Sequence, residues 1–455
     1  MLTYELEKRP GLPLYESLYR QIRDDILGGV LKPGCRLPSK RALAENLKIS
    51  KATVEEAYSR LTAEGYLRVQ ARSGFYVDAQ ASASRFSSAA LPAPAESGGI
   101  ASENCILDLT LSGTGHFPFS VWTRLQREVI LDCGEQLLQP IPSCGIPELR
   151  HAIAEQLTAF RGMSVSPEQI LIGAGSDFMY NLITQLLGQD LIYAVEDPGY
   201  AKIRSIYTAA GVRTLCVPMD RSGVIPGCLQ DARVLHISPS HHFPTGLVMP
   251  MERRRQLLDW ASAGNWIIED DYDSEFGIRA HPLAAMQSMA PDRVIYMNTF
   301  SRSLAPSIRI GYAVLPPALV ERYKNRLGFY SCTVPSMEQY TLARFLSQGS
   351  FEKHINRMRR FYRAKRDRIE ALFSDFPALE ILEQDAGLHF LLRLDTDKPD
   401  AQLLKEFSRS GIHARFLSEY YSVPSSAPAH MLVISYAGLE ESRLEAGLSA
   451  LTELL

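Results

Sequence analysis

Between residues 79 and 106 the chain reads AQASASRFSSAALPAPAESGGIASENCI, and this stretch limits what the rest can become. It is rich in Ala, Ser, Pro and Gly, carries no helical or strand periodicity, and is too poor in large apolar groups to fold alone. A chain of 455 residues also exceeds what one core supports, since single cores stop growing near ~250–300 residues. Three segments follow: a head over 1–78, a flexible linker over 79–106 and a body over 107–455. As a flexible coil the linker has a typical span near ~30 Å.

Composition excludes several classes. A formal charge of −3 rules out avid polyanion binding by the whole surface, so any nucleic-acid function must rest on where the cations sit. The seven cysteines, at 35, 105, 133, 144, 216, 228 and 332, form no C-x-x-C pair, and they read as reduced thiols in a reducing compartment. Charge interrupts every apolar run of the N-terminus, which argues against a signal peptide, and no run of about 18 uncharged apolar residues occurs. The expectation is a cytoplasmic protein with no membrane partner.

In the head, LPLYESLYRQIRDDILGG (12–29) sets Leu14, Leu18, Ile22 and Ile26 four residues apart. That spacing predicts an amphipathic helix stopped at Gly28-Gly29. Ser39 is placed to cap a second helix, KRALAENL, and Ser50 a third, KATVEEAYSRLTAEG, ended by Gly65. YLRVQ and FYVDA, either side of ARSG, read as a two-stranded wing. Between residues 32 and 72 there are 9 Lys/Arg against 4 Asp/Glu, a local net of +5. A helix fits the major groove, and its N-terminal residues reach base edges and phosphates. Ser50, Lys51 and Thr53 occupy that end. Arg36, Ser39, Lys40 and Arg41 lie where the preceding turn meets phosphates, and Arg72, Ser73 and Gly74 form a wing tip that reaches a minor groove. On charge and periodicity alone, a solvated basic hairpin with no partner fits as well.

The string PLYESLYRQIRDDILGGVLKPGCRLPSKRALAENLKISKATVEEAYSRLTAEGYLRVQARSGFYV resembles the GntR-family winged helix across its whole length. Its densest part is PGCRLPSKRALAENLKISKATVEEAYSRLTAEGYL. The wing differs mildly, with Arg72-Ser73-Gly74 where the family often has Gly-Ser-Gly. The resemblance implies binding to double-stranded operator DNA.

After residue 107, short runs such as QILIG, LIYAV, VLHIS, WIIED and RVIYM alternate with longer amphipathic stretches. That pattern predicts parallel strands joined by crossover helices, an α/β sheet. Several short segments carry site chemistry. GAGSDF (173–178) follows a strand and opens a helix, whose first N–H groups suit a phosphate. EDPGYAKIR (196–204) and SPSHHFPTG (238–246) follow two further strands, at the edge where α/β folds place ligands. IIEDDYDSEF (267–276) sets Asp270 and Tyr272 at the end of another: a carboxylate suited to a protonated ring nitrogen and a phenol suited to a ring hydroxyl. NTFSRSLAPSIRIGY (298–312) adds Thr299, Ser301 and Arg309, all phosphate-binding types. Each segment taken singly reads more readily as structure than as site.

Together and in this order, EDPGY, PSHHFPTG, EDDYDSEF and TFSRSLAPSIRIGY are similar to the strings of fold-type I aminotransferases, in the variant carried by MocR/GabR-type regulators. The resemblance covers roughly residues 107–440. It implies a large, mostly parallel sheet flanked by helices, a smaller C-terminal lobe, and a homodimer. It also implies that Asp270 partners the pyridoxal phosphate ring nitrogen and Tyr272 its hydroxyl. Gly175, Ser176, Thr299, Ser301 and Arg309 match the phosphate cradle, and Tyr200 lies near the ring-stacking region.

Two departures bear on function. Where the family's TFS is followed by the lysine that forms the imine, this chain has Arg302. A guanidinium stays protonated (pKa above ~12) and has no free lone pair, so Arg302 cannot make that bond. No other lysine sits in the motif, and Lys202 is about a hundred residues away. In LVISYAG (432–438), Val433 aligns with the family arginine that holds a substrate carboxylate. Acid–base transfer by the lysine is worth ~10²–10⁴-fold, so its loss removes transamination.

The reading is therefore a transcriptional regulator, not an enzyme, whose body senses a small-molecule effector. Three occupants stay open for the body: pyridoxal phosphate held noncovalently only, another anionic ligand, or none in a purely structural body. The alternative is a pyridoxal phosphate-dependent aminotransferase with an appended DNA-binding head, against which Arg302 counts. An RNA or protein-interaction head is disfavoured by the lack of exposed stacking aromatics.

Overall fold

The structure, a computed structural model, describes residues 4, 13–70, 73–78, 105–110, 116–277, 283–382 and 387–455. It divides into two compact units, up to Ile100 and from Ala101 onward. Nearly all of the stretch read as a linker, together with Arg72, lies outside the described residues.

The first unit is three helices, Leu14–Leu27, Lys40–Leu47 and Lys51–Ala63, followed by antiparallel strands Leu67–Gln70 and Gly74–Val77. Leu18, Ile22 and Ile26 pack with Leu43, Val54, Tyr58 and Leu61, so the four-residue spacing becomes one buried face. Leu14, the first of that series, is only half-buried. The two serine caps form: Ser39 accepts from the Ala42 N–H and Ser50 from the Thr53 N–H. Each is worth about 1 kcal/mol. The sharp turn between these helices puts Lys48 at φ 55, and Gly65 at φ 78 closes the third helix. The Tyr58 hydroxyl donates to the Pro38 carbonyl at 3.0 Å, tying that helix to the turn before the second.

The second unit holds an eight-stranded sheet. In spatial order its strands are Ile170–Gly173, Gly311–Val314, Val294–Thr299, Trp266–Asp270, Val234–Ile237, Ile192–Asp197, Arg213–Asp220 and the two-residue Gly223–Val224. The middle pairings are parallel, while Gly311–Val314 runs antiparallel to both its neighbours. Both faces are covered: Ile170 and Ile172 join one core with Tyr296 and Val314, and Leu171 joins another with Ile268, Ile295 and Met297. Strands buried on both faces explain why these runs read as continuously apolar instead of alternating.

A smaller lobe follows the long helix Ser350–Phe373. Its three antiparallel strands are ordered Leu379–Leu382, His389–Leu394, Met431–Ser435. The short strand Leu107–Asp108 pairs with Ile412–His413, fastening the start of this unit to its last lobe. Among the described residues, no helix is long and apolar enough to cross a membrane.

Candidate functional site

Parallel strands end on one edge, and that fact gathers the site. Asp197, Ile237, Asp270 and Thr299 terminate four strands that run the same way. The antiparallel strand begins on that edge too, with Gly311 in register with Thr299 on one side and Gly173 on the other. Segments more than a hundred residues apart in sequence thus converge there.

Asp270 is 5% exposed at its strand end. The Tyr180 hydroxyl donates to its Oδ2 at 2.5 Å, and His236 Nε2 lies 3.4 Å from the same oxygen. The Tyr207 hydroxyl is 2.7 Å from His236 Nδ1. A carboxylate only accepts, so the network puts the His236 proton on Nε2 and has Tyr207 donate to Nδ1. Burial beside this carboxylate pushes both Tyr180 and Tyr207 well above the usual phenol range, so both stay protonated donors. The chain Tyr207–His236–Asp270–Tyr180 orients the carboxylate. None of its three supporting members belonged to the sequence-derived site, although a histidine inside the apolar run VLHIS is a signal that a partner waits in the core.

The cradle residues come together around Gly175. Gly175 sits at φ 82, and a Cβ on it would lie 2.7 Å from Arg309 Nη2. Ser176 is the first residue of helix Ser176–Leu187. Thr299 caps the short helix Phe300–Ser303 by accepting from the Ser301 N–H, and its hydroxyl is 3.0 Å from Ser301 Oγ. Asp177 Oδ2 is 2.6 Å from Lys202 Nζ and 3.4 Å from Arg309 Nη2. Lys202 and Arg309 thus share one carboxylate oxygen of Asp177.

Arg302 lies in the helix Phe300–Ser303 and is close enough to act electrostatically on Tyr272, His389 and Tyr362. The Tyr272 hydroxyl is 3.3 Å from His241 Nδ1, which is itself 2.8 Å from Asp273 Oδ2. Burial drives His389 well below the usual imidazole range and His242 down to about 3, so both rings are neutral. Tyr200 is 46% exposed, edge-on to Phe243, and lines a cleft of about 370 Å³ with Glu196, His236 and Tyr420. Val433 packs with Leu391, Leu417 and Met431 and brings no charge.

The head presents a second candidate surface. Lys51 and Ser50 are exposed at the start of the third helix, with Ser50 Oγ 2.8 Å from Thr53 Oγ1. Lys40 reaches Glu55 at 2.7 Å and lies over the Phe75 ring, while Arg41 pairs with Glu45 at 3.0 Å. Arg36 bridges to Tyr76, and its guanidinium flanks Gly74. Ser73 Oγ is 2.6 Å from the Tyr76 hydroxyl. Turn, helix start and wing thus all contribute polar groups within one small unit.

A winged helix-turn-helix and an aminotransferase-like body on one chain define a class of bacterial transcriptional regulator. Residues 14–77 match the family described as bacterial regulatory proteins, gntR family. The uncharacterized HTH-type transcriptional regulator YdeL of Bacillus subtilis is 35% identical, over 99% of this chain and 98% of its own. The probable rhizopine catabolism regulatory protein MocR of Rhizobium meliloti is 33% identical over 98% and 94%. The HTH-type pyridoxine biosynthesis transcriptional regulator PdxR of Corynebacterium glutamicum is 31% identical over 89% and 88%. Among solved structures, a kynurenine aminotransferase from Pyrococcus horikoshii superposes with a TM-score of 0.69 at 23% identity, covering 78% of this chain and 91% of that one. An archaeal alanine:glyoxylate aminotransferase gives 0.68 at 22%, covering 76% and 90%. The chain belongs to the MocR-type family of HTH transcriptional regulators, and its body has the aminotransferase-like fold.

Proposed function

We propose that the head binds operator DNA as part of a cytoplasmic homodimer, and that the body senses a small anionic ligand without acting as an enzyme. What supports this reading is Arg302 in the helix Phe300–Ser303, within electrostatic reach of Tyr272 and His389, in a motif whose resemblance to aminotransferases would lead one to expect a lysine. A permanently protonated guanidinium binds anions and cannot attack a carbonyl.

The residues fit noncovalent pyridoxal phosphate. The Gly175 turn, where a Cβ would collide with Arg309, seats that guanidinium against the start of a helix whose first N–H groups suit a phosphate. Thr299, Ser301, Arg309 and Lys202 supply further donors and charge, and Asp270 offers a buried, oriented carboxylate. When bound in an enzyme this cofactor acts as an electron sink for carbanion chemistry. Here the chain's own groups bind and orient: Asp270 would face a ring nitrogen, Tyr272 a ring hydroxyl and Tyr200 the ring. Arg302 would add charge to the anion. A ligand of this kind changes DNA binding only through unequal affinity for two arrangements of the dimer.

The test has two arms. The parent should retain its own promoter fragment in preference to random duplex, and should release pyridoxal phosphate on dialysis with no mass increase after borohydride treatment. Arg302→Lys should acquire a borohydride-fixed mass increase. A fixed adduct on the parent, or conversion of amino acids to keto acids, would falsify the reading.

A further inference from the structure

Behind Tyr272, three buried ligating side chains converge from three separate segments. His241 follows the strand Val234–Ile237, Asp273 follows Trp266–Asp270, and His389 opens a strand of the smaller lobe. One ligand atom from each lies within 4.8 Å of the others, and all three residues are at most 5% exposed. His241 Nδ1 is 2.8 Å from Asp273 Oδ2, so a ring nitrogen and a carboxylate oxygen already face one gap. Nε2 of His389 and Nε2 of His241 are both buried without a hydrogen-bond partner. The two rings are tilted by 36° with 4.4 Å between centroids.

We propose that His241, Asp273 and His389 bind a divalent transition-metal ion. Two imidazoles and a carboxylate are the donor set of zinc and its neighbours, whereas magnesium and calcium prefer all-oxygen sites. The surroundings are built for rigidity. Gly387 at φ 70 presses its backbone on the His241 ring so tightly that a Cβ would lie 1.7 Å from Cε1. Phe243 packs edge-on against His389 at 5.0 Å. Charge favours a cation as well: Asp270 and Asp273 both act on the neighbouring Tyr272, against the single guanidinium of Arg302. Zinc bonds of ~2.0–2.2 Å set tetrahedral ligand atoms roughly 3.3 Å apart, so the widest separation here, at most 4.8 Å, closes by up to about 1.5 Å on binding. Three protein ligands leave a fourth position open, which an effector's carboxylate or amine can take. The site goes beyond the ligand-sensing reading and stands whether or not pyridoxal phosphate binds.

The experiment uses untagged full-length protein freed of metal by chelator dialysis, titrated with zinc chloride by calorimetry. One zinc per chain is expected. His241→Asn and His389→Asn should each weaken it by at least about tenfold. His413→Asn, in the surface cluster of Cys105, Asp108 and His413, should leave it unchanged. X-ray absorption of the zinc-loaded parent should show nitrogen and oxygen neighbours only, a readout that survives if a histidine variant fails to fold. No zinc uptake by the parent, loss of uptake in His413→Asn with retention in His389→Asn, or a sulfur shell at the zinc would each overturn the assignment.

Discussion

The guanidinium of Arg309 packs against Gly175 with no room for a side chain between them, since a methyl group there would come within 2.7 Å of Nη2. Gly175 also holds a φ of 82 that other residues adopt only under strain. Gly175→Ala should therefore cost about 1–3 kcal/mol of stability. It should also push Arg309 aside, so pyridoxal phosphate affinity falls with it. Urea unfolding and a fluorescence titration measure the two effects, and a variant equal to the parent in both would remove Gly175 from the cradle.

Lys51 is exposed in the first turn of the helix Lys51–Ala63 and touches none of the head's core. If it meets a phosphate, Lys51→Ala should lower the slope of log affinity against log salt by ~0.9 without changing the thermal midpoint of the head. Among the described residues Arg41 pairs with Glu45 at the surface, a contact worth at most about 1 kcal/mol that DNA can displace. Arg41→Ala should weaken binding too. Parent-like affinity of both variants at moderate salt would mean that another surface reads the DNA.

Arg254 is fully buried and donates to the carbonyls of Met249, Ala284 and Pro239 at 3.1, 2.8 and 2.8 Å. It also faces buried Glu269, whose carboxylate oxygens accept from the Met286 and Gln287 N–H groups. Arg254→Met strands three carbonyls and uncovers a buried acid, with an expected loss of about 3–5 kcal/mol. A loss below about 1 kcal/mol in denaturant unfolding would show that the network is dispensable.

Burial pushes the Glu196 carboxyl from 4.5 up to about 8, opposed by the Ser238 N–H that it accepts. Between those values the folded chain keeps the proton and the unfolded chain loses it. The stability this group contributes is thus complete below about 4.5 and is lost as pH rises toward about 8. Glu196→Gln removes the titration and keeps an acceptor for Ser238. The stability of the variant relative to the parent should therefore climb with pH across that window, by at most ~1.4 kcal/mol per pH unit. Unfolding free energies at pH 5 and pH 8 decide it: a gap independent of pH contradicts the buried, neutral Glu196.

The head was largely legible because its signals are local. Ser39 and Ser50 each cap the helix that begins at the next residue, and Gly65 ends the third helix at the turn expected of it. The strand runs of the body were legible as well, since burial on both faces demands continuous apolar residues. Less visible was the support behind the candidate site. Tyr180 and Tyr207 lie in no motif that singles them out, and nothing in GAGSDF announces that Asp177 meets Lys202.

Taken alone, the order of residues determined which segments become helices and strands, and it brought Arg302 into the motif where a lysine was expected. Caps, turns and periodicity act over a few residues, so they can be read along the chain. Tertiary structure alone decided that His236 stands behind Asp270, and that His241, Asp273 and His389 share one buried space. Those meetings depend on which strands lie side by side and end on a common edge, a long-range register that no short window of sequence contains.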